Sequence, residues 1–384
     1  MKKIGIFGST GSIGTQTVNI IEKYSDDLRA SVLTCDTNTR LLRKQIISLN
    51  PETVVVSGAE TASGVDALKA EFPNIRVLTG PQGLAEAAEY ADYDVMLNAL
   101  TGIAGLLPTW KALTTYRDIA IANKETLVAG GALITTEARR RGSIIIPVDS
   151  EHSAIFQAIR GNEDNDIRSI VLTASGGPFR AYSRDMLRDV TTEQALKHPN
   201  WDMGKKVTID SATMMNKGLE IIEASRLFGV EDGRIKVIVH PQSVIHSMVE
   251  FEDGSVMAQM GVPDMKAPIS YALFYPNRRD TGVKRLNLTD IRTLTFENPD
   301  EAVFPALRLA REALNVGGGA PVVLNAANEA LVGLFLDRRI CFTDIDKYIE
   351  KALESYTDAK ADDLETVLEL DTQVKGWIFE RLGH

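Results

Sequence analysis

At 384 residues the chain is too long for one compact core and is expected to divide into two or three domains. Its net charge of -10, with no block of like charges, argues against general binding to nucleic acid or to an anionic membrane, both of which need a basic face. Two cysteines, Cys35 and Cys341, without metal-type spacing exclude a disulfide framework and fit a reducing compartment. No leader pattern precedes Lys3-Ile4-Gly5, and no apolar run reaches membrane-spanning length, so the expectation is a cytoplasmic protein.

Residues 1–148 alternate short apolar runs with amphipathic stretches. The expected strands are Ile4–Phe7, Ser31–Thr34, Thr53–Val56, Ile75–Leu78, Val95–Asn98, Ile119–Ala122 and Ile144–Val148, separated by helical patterns such as Gln16–Tyr24 and Thr126–Arg141. This rhythm predicts βαβ units, hence an α/β fold with a parallel sheet covered on both faces. The first strand runs into Gly8-Ser9-Thr10-Gly11-Ser12-Ile13-Gly14. Glycines there let the backbone turn tightly and approach a pyrophosphate, and the next helix offers free N–H groups and its positive dipole end. The spacing is GxxGxxG rather than GxGxxG, but a strand before and a helix after are the context a dinucleotide motif requires. A merely structural glycine turn is the alternative. The second strand ends in Cys35-Asp36-Thr37-Asn38-Thr39-Arg40. Asp36 would bond a ribose 2′-hydroxyl and favour NAD; Arg40 or Arg43 could receive a 2′-phosphate and favour NADP. The residues alone leave that choice open. Ala122-Asn123-Lys124-Glu125 follows a strand and either faces the ligand crevice or opens a helix capped by Asn123.

The run Ile144-Ile145-Ile146 leads into Pro147-Val148-Asp149-Ser150-Glu151-His152. At a strand end, Asp149 and Glu151 would point the same way. Two such acids suit Mg²⁺ or Mn²⁺, or are simply solvated loop acids. The pattern then becomes α+β. A strand over Arg168–Ala174 ends in Ser175-Gly176-Gly177-Pro178, an anion-friendly turn or a plain one. His198–Lys206 sets Trp201 and Met203 in a polar, Pro- and Gly-punctuated segment, which reads as a closing lid or as packing against a neighbouring domain. Asp210–Glu220 opens a helix continuing to about Phe228, with Asn216 and Glu220 one turn apart on one face and Lys217 three residues from Glu220. Buried among Met and Ile, Lys217 and Glu220 would need partners such as a phosphate and a cation; a surface ion pair is the alternative. Strands over Ile235–Val239, Val244–Phe251 and Ser255–Met260 follow, the last two joined by an Asp253-Gly254 hairpin whose exposed edge or face is a candidate dimer surface. Residues 276–300 are polar and irregular and read as a linker. Helical periods then cover Ala302–Leu314, Val322–Leu336, Asp344–Tyr356 and Leu364–Leu382, with Thr343 and Asp346 placed as a capping box. Asn325-Ala326-Ala327-Asn328-Glu329 is polar in an otherwise apolar helix and either faces a site or bonds across a domain interface.

Taken together, Gly8–Gly14, Ala122–Glu125, Pro147–His152, Leu172–Arg180, His198–Gly204, Asp210–Glu220, His240–Met248 and Leu324–Glu329 resemble the 1-deoxy-D-xylulose-5-phosphate reductoisomerase family over nearly the full length. The resemblance implies a Rossmann-like nicotinamide domain over 1–148 and a catalytic, dimerising α+β domain over 149–275 with a lid at about 180–206. After the linker it implies a C-terminal helical domain over 301–384. It implies an NADPH- and metal-dependent enzyme of isoprenoid precursor synthesis that isomerises and reduces 1-deoxy-D-xylulose 5-phosphate to 2-C-methyl-D-erythritol 4-phosphate, acting as a homodimer. Carried over by motif, Asp149, Glu151 and Glu220 match the metal ligands, and Ser150 and Lys124 match substrate contacts beside the metal. Ser175, Ser211, Asn216 and Lys217 match the phosphate pocket, with His198 on the closing loop and Trp201 and Met203 in the lid. Thr10, Gly11, Ser12, Ile13, Asn123, Glu125 and Gly204 match cofactor contacts. One departure is visible. Where the family has an Ala-Gly-basic-Asn turn, this chain has Cys35-Asp36-Thr37-Asn38 and keeps only Asn38. The expectation is NADPH with weaker discrimination against NADH, Arg40 or Arg43 compensating.

Overall fold

The computed structural model describes residues 1–58, 62–198, 201 and 203–383. The chain forms two compact units, the first made of Met1–Thr126, Ile134–Ser150 and Asp264–Val283, the second of the remainder. Among the described residues of the first unit, seven parallel strands make one sheet. They are β1 (Lys2–Phe7), β2 (Leu28–Cys35), β3 (Thr53–Val56), β4 (Arg76–Thr79), β5 (Val95–Asn98), β6 (Asp118–Ile121) and β7 (Ile145–Pro147), in the order β4-β3-β2-β1-β5-β6-β7. Ile4, Ile6, Leu33, Val54, Val55, Met96, Leu97 and Ile119 are fully buried, as strands covered on both faces require. Strand order reverses between β1 and β5. In a doubly wound sheet the ligand crevice lies at the carboxyl ends flanking that reversal.

This division differs from the one read from the sequence. The helix Lys266–Phe274 belongs to the first unit, not to the middle domain. Its Ile269, Ala272 and Leu273 are fully buried, Phe274 meets Tyr24 edge-on at 5.1 Å, and Lys2 Nζ donates to the Leu273 carbonyl at 3.0 Å.

The second unit carries β8 (Ile167–Ala174), β9 (Ile235–Val239), β10 (Ile245–Phe251) and β11 (Val256–Met260), in the order β11-β10-β8-β9. β10 runs antiparallel to both neighbours, and Gly254 makes the expected hairpin turn with φ +84°. The edge strand β11 exposes about half of Val256 and Met257. Residues 284–300 are not a bare linker: they hold a short helix, Leu288–Ile291, and Glu297 bridges to Val239. The long helices are Met215–Phe228, Ala306–Val316, Ala320–Leu336, Asp344–Ser355 and Leu364–Arg381. The Thr343 capping box does not form, since its side chain makes no cap hydrogen bond. The donors of the polar stretch in Ala320–Leu336 are bonded within this unit, while Asn325 Oδ1 and Asn328 Oδ1 are buried without a hydrogen bond among the described residues. Asn325 Nδ2 donates to Glu329 at 3.0 Å, Lys375 bonds Glu329 at 2.7 Å and Asp371 at 2.8 Å, and Asn328 Nδ2 donates to Asp210 at 2.9 Å.

Candidate functional site

In the first unit the glycine turn follows β1 directly. Gly8 has φ +95°, and a Cβ on it would lie 2.7 Å from the Ala99 carbonyl carbon; one on Gly14 would lie 2.5 Å from Ser9 Cα. Only hydrogen fits at either place, so the turn can be this tight only with glycine. Ser9 is buried and locked by Gln45, donating to its Oε1 at 2.7 Å while the Gln45 amide donates back to the Ser9 carbonyl at 2.8 Å. The helix Ser12–Lys23 opens at Gly11, which brings no capping side chain. Thr10 and Ile13 are half-buried around this opening, and Gly11 and Ser12 are exposed. A helix start without a side-chain cap beside a glycine cradle suits a pyrophosphate.

At the end of β2, Asp36 is exposed, whereas burial and then the neighbouring Asp36 push the Cys35 thiol up to about 12. Asn38 caps the helix Thr39–Leu49 by accepting from Leu41 N at 3.1 Å. Arg43 is engaged elsewhere, donating to both carboxylate oxygens of Glu71 at 2.6 and 2.5 Å. Of the two arginines weighed above, the exposed Arg40 alone remains.

Asn123 is almost wholly buried and serves both readings offered for it. Its Oδ1 caps the helix Lys124–Arg141 by accepting from Thr126 N at 3.1 Å. Its Nδ2 donates to the Leu100 and Gly102 carbonyls at 2.9 and 3.0 Å and to Glu125 Oε2 at 2.9 Å. Asn98, at the end of β5, was not singled out in the sequence. It is fully buried, donating to Thr109 Oγ1 at 2.8 Å and accepting from Leu100 N at 3.1 Å. The signal was an amide ending an otherwise apolar strand. Lys124, nearly buried, pairs with Asp149 at 2.8 Å.

Asp149 and Glu151 do not alternate along a strand end. β7 stops at Pro147, and a helix begins at Ser150, with Glu151 in its first turn where an acid complements the helix dipole. In the second unit, the segment Asp210–Glu220 is two helices rather than one. Lys205–Ala212 ends, Met214 takes φ +64°, and Met215–Phe228 begins. This break aims Asn216, Lys217 and Glu220 from the start of a buried helix. Lys217 Nζ bridges two carboxylates, Glu151 Oε1 at 2.7 Å and Glu220 Oε2. Asn216 Nδ2 donates to Glu220 Oε1 at 2.6 Å. Burial alone would pull the Lys217 ammonium down; Glu151 and Glu220 outweigh it and hold the group above the ordinary lysine value. Behind them His152, fully buried, meets the Glu220 carbonyl through Nε2 at 3.0 Å and Glu223 through Nδ1 at 3.4 Å. Glu223 carries no signal in the sequence beyond a Glu in an apolar helix, and His152 only its place at the end of the Pro147–His152 motif.

The turn after β8 is a second cradle. Gly176 and Gly177 have φ +85° and +66°, and a Cβ on Gly177 would lie 2.6 Å from the Ser211 carbonyl oxygen. The turn that follows Ser175 is thereby packed against the Ser211 backbone. Ser175 Oγ meets His198 Nε2 at 3.0 Å and accepts from Gly177 N at 3.2 Å, and His198 Nδ1 accepts from Trp201 N at 3.0 Å. Burial lowers the His198 pKa, favouring the neutral ring. Met203 is half-buried; Gly204 is exposed and opens the helix Lys205–Ala212. Pro199, Asn200 and Asp202 of the expected lid lie outside the described residues.

A Rossmann-like sheet with a glycine cradle, together with a unit bearing a buried acid–lysine cluster, defines a nicotinamide-nucleotide oxidoreductase. Family models described as 1-deoxy-D-xylulose 5-phosphate reductoisomerase match residues 4–131 and, for its C-terminal domains, 145–228 and 260–377. The reductoisomerase of Geotalea uraniireducens is 50% identical over 384 residues, covering 100% of this chain and 99% of that one. The enzyme of Zymomonas mobilis, solved with NADPH, is 41% identical over 99% of both chains with a TM-score of 0.91. A reductoisomerase solved with NADPH, fosmidomycin and magnesium is 37% identical over 100% of this chain and 98% of that chain, with a TM-score of 0.95. The chain belongs to the 1-deoxy-D-xylulose 5-phosphate reductoisomerase family.

Proposed function

We infer that the protein isomerises and reduces 1-deoxy-D-xylulose 5-phosphate to 2-C-methyl-D-erythritol 4-phosphate, with NADPH as reductant and a divalent cation as cofactor. The observation that carries this reading is full-length likeness to reductoisomerases, including one solved with NADPH, fosmidomycin and magnesium. The residues present fit both groups. Glu151 and Glu220 already converge on one positive centre, the Lys217 ammonium, and carboxylate oxygens are the donors that Mg²⁺ and Mn²⁺ prefer. Asp149, two positions ahead of Glu151 in the chain, is the third proposed ligand. When bound, the cation supplies Lewis-acid polarisation of the substrate carbonyl and its neighbouring hydroxyl.

The protein's own groups do the rest. Lys124 and Ser150 orient the substrate beside the metal ligands, and Asn216 belongs with Lys217 to the phosphate pocket. Lys217, once a divalent cation satisfies the two acids, is free to turn to the phosphate. Ser175, Ser211 and the backbone of the Gly176-Gly177 turn take the phosphate oxygens, with His198 closing over them. Trp201 and Met203 exclude water while the carbon skeleton rearranges to an aldehyde. NADPH reduces that aldehyde, and Thr10, Gly11, Ser12, Ile13, Asn38, Asn123, Glu125 and Gly204 hold the nucleotide, with its pyrophosphate at the glycine cradle.

We further propose a nicotinamide role for 1–148 together with the helix Lys266–Phe274, a catalytic role for the rest of 149–275, a helical domain over 301–384, and a homodimer built on the exposed edge of β11. A cytoplasmic location accords with the absence, among the described residues, of any helix long and apolar enough to cross a membrane. The test is NADPH oxidation on addition of 1-deoxy-D-xylulose 5-phosphate, with and without Mg²⁺ or Mn²⁺, run beside a light-scattering mass. Undiminished turnover in excess chelator would remove the metal, and a monomeric mass would remove the dimer.

A further inference from the structure

The end of β2 carries a charge pattern that the reaction itself does not explain. In a doubly wound sheet, this strand end lies where the adenosine ribose of a bound dinucleotide is read, and an acid there bonds the ribose 2′-hydroxyl. The same acid repels a 2′-phosphate. Here the strand next to β1 ends at Cys35, and Asp36 is the first residue beyond it. Its backbone is fixed: the carbonyl accepts from Gly58 N at 3.0 Å. Its carboxylate is exposed, with Ser57 Oγ 3.5 Å from Oδ1. A Cβ on Gly58 would lie 2.9 Å from that same oxygen and 2.7 Å from Thr37 Cγ2, so Gly58 packs against this turn through its backbone alone.

The cations nearby do not cancel Asp36 equally. The Arg43 guanidinium is spent on a two-pronged pair with Glu71, and Glu71 in turn holds it in place. The Asn38 carboxamide oxygen is committed to the helix cap. Arg40 lies in the first turn of the helix Thr39–Leu49, is exposed, and has no ion-pair partner among the described residues. The turn therefore offers one fixed acid and one long, solvated base to whatever nucleotide sits there.

We propose that Asp36 sets the cofactor specificity of this enzyme, accepting the ribose diol of NADH and holding the preference for NADPH to a modest one that depends on Arg40. This rests on the reading of the first unit as the NADPH domain. Arg40 meets the 2′-phosphate as a flexible charge while Asp36 opposes it, and the two effects partly offset. Neither side chain lies in the buried chemistry of the second unit, so changing them alters which nucleotide binds rather than what is done with it.

The test is direct binding of NADPH and NADH to the whole protein without substrate, followed by the change in nucleotide fluorescence, alongside kcat/KM for each. Asp36→Asn is expected to raise the NADPH-to-NADH preference at least about fivefold, the lower end of what removing one charge at contact range gives in water-like surroundings. Arg40→Ala is expected to lower it by a similar factor, and Arg43→Ala to leave it unchanged because that side chain is held by Glu71. A preference unmoved by Asp36→Asn, or one that collapses with Arg43→Ala and not Arg40→Ala, overturns the proposal. Failure of the parent protein to bind either nucleotide overturns the domain reading on which it stands, and does so without reference to the variants.

Discussion

Replacing Glu220 with glutamine keeps the side chain's shape and removes one charge from a fully buried position. Both carboxylate oxygens now accept, one from Asn216 Nδ2 at 2.6 Å and the other from Lys217 Nζ. A glutamine accepts at one oxygen and donates from its nitrogen. Its oxygen stays with the ammonium, and its nitrogen faces Asn216, whose own amide can flip to present Oδ1. The hydrogen bonds therefore survive, and what is lost is electrostatic. Lys217 keeps Glu151 at 2.7 Å as its charged partner, and the metal-free fold loses about 1–3 kcal/mol. The metal effect is larger. Altering a residue that merely supports a ligand typically costs 10–100-fold in metal affinity, so removing a proposed ligand charge should cost at least about 100-fold. Mn²⁺ titration read by the paramagnetic signal of the free ion measures this directly, urea unfolding measures the fold, and NADPH fluorescence shows whether the first unit is intact. A folded Glu220→Gln protein that binds Mn²⁺ within about threefold of the parent would refute the assignment of Glu220 as a ligand.

Two other outcomes are expected. Gly177→Ala combines a positive φ with a Cβ 2.6 Å from the Ser211 carbonyl oxygen. The turn must open, and the expected result in steady-state kinetics is at least a roughly tenfold rise in KM for the sugar phosphate with KM for NADPH unchanged; equal effects on both would point to general loosening instead. Lys375 lies between Glu329 and Asp371; burial alone would lower its pKa, but the two acids outweigh it and raise the group above 10.5. A raised folded-state value means the stabilisation is fully present below 10.5 and is lost as pH rises through the folded pKa. Lys375→Met should therefore cost about 1–3 kcal/mol at pH 7, with the gap to the parent closing only above 10.5, as measured by urea unfolding across pH; a gap that closes near neutrality would contradict the pairing.

The parallel sheet was legible because strands buried on both faces are apolar without interruption, and short runs such as Val54-Val55-Val56 and Val95-Met96-Leu97 recur between amphipathic helical stretches. The glycine cradle was legible for a related reason, since glycine is the only residue that fits where backbone meets backbone. The join at Asp149-Ser150-Glu151 misled because three residues are too short to show a period, and the helix that claims Glu151 declares itself only from His152 onward. Lys217 was rightly expected to need partners. Its partner Glu151 lies 66 positions away, a separation no local pattern reveals. Arg43 looked available for a nucleotide because its partner, Glu71, belongs to another helix. The helix Lys266–Phe274 was not read from the sequence, and nothing in the spacing of Ile269 and Leu273 says against which sheet it packs.

That last helix has a consequence for how the protein is made. The first unit is discontinuous, closing only when Asp264–Val283 reaches residues near the amino terminus, with Lys2 and Leu273 in contact across 271 positions. While the ribosome is still translating the middle of the chain, the nascent nucleotide sheet must wait with the docking place for Ile269, Ala272 and Leu273 uncovered. Domain-by-domain folding from the amino end is closed to it, and the loop it must finally close is long. A fragment stopping at Ser150 should for the same reason be poorly soluble, although it contains every strand of the sheet.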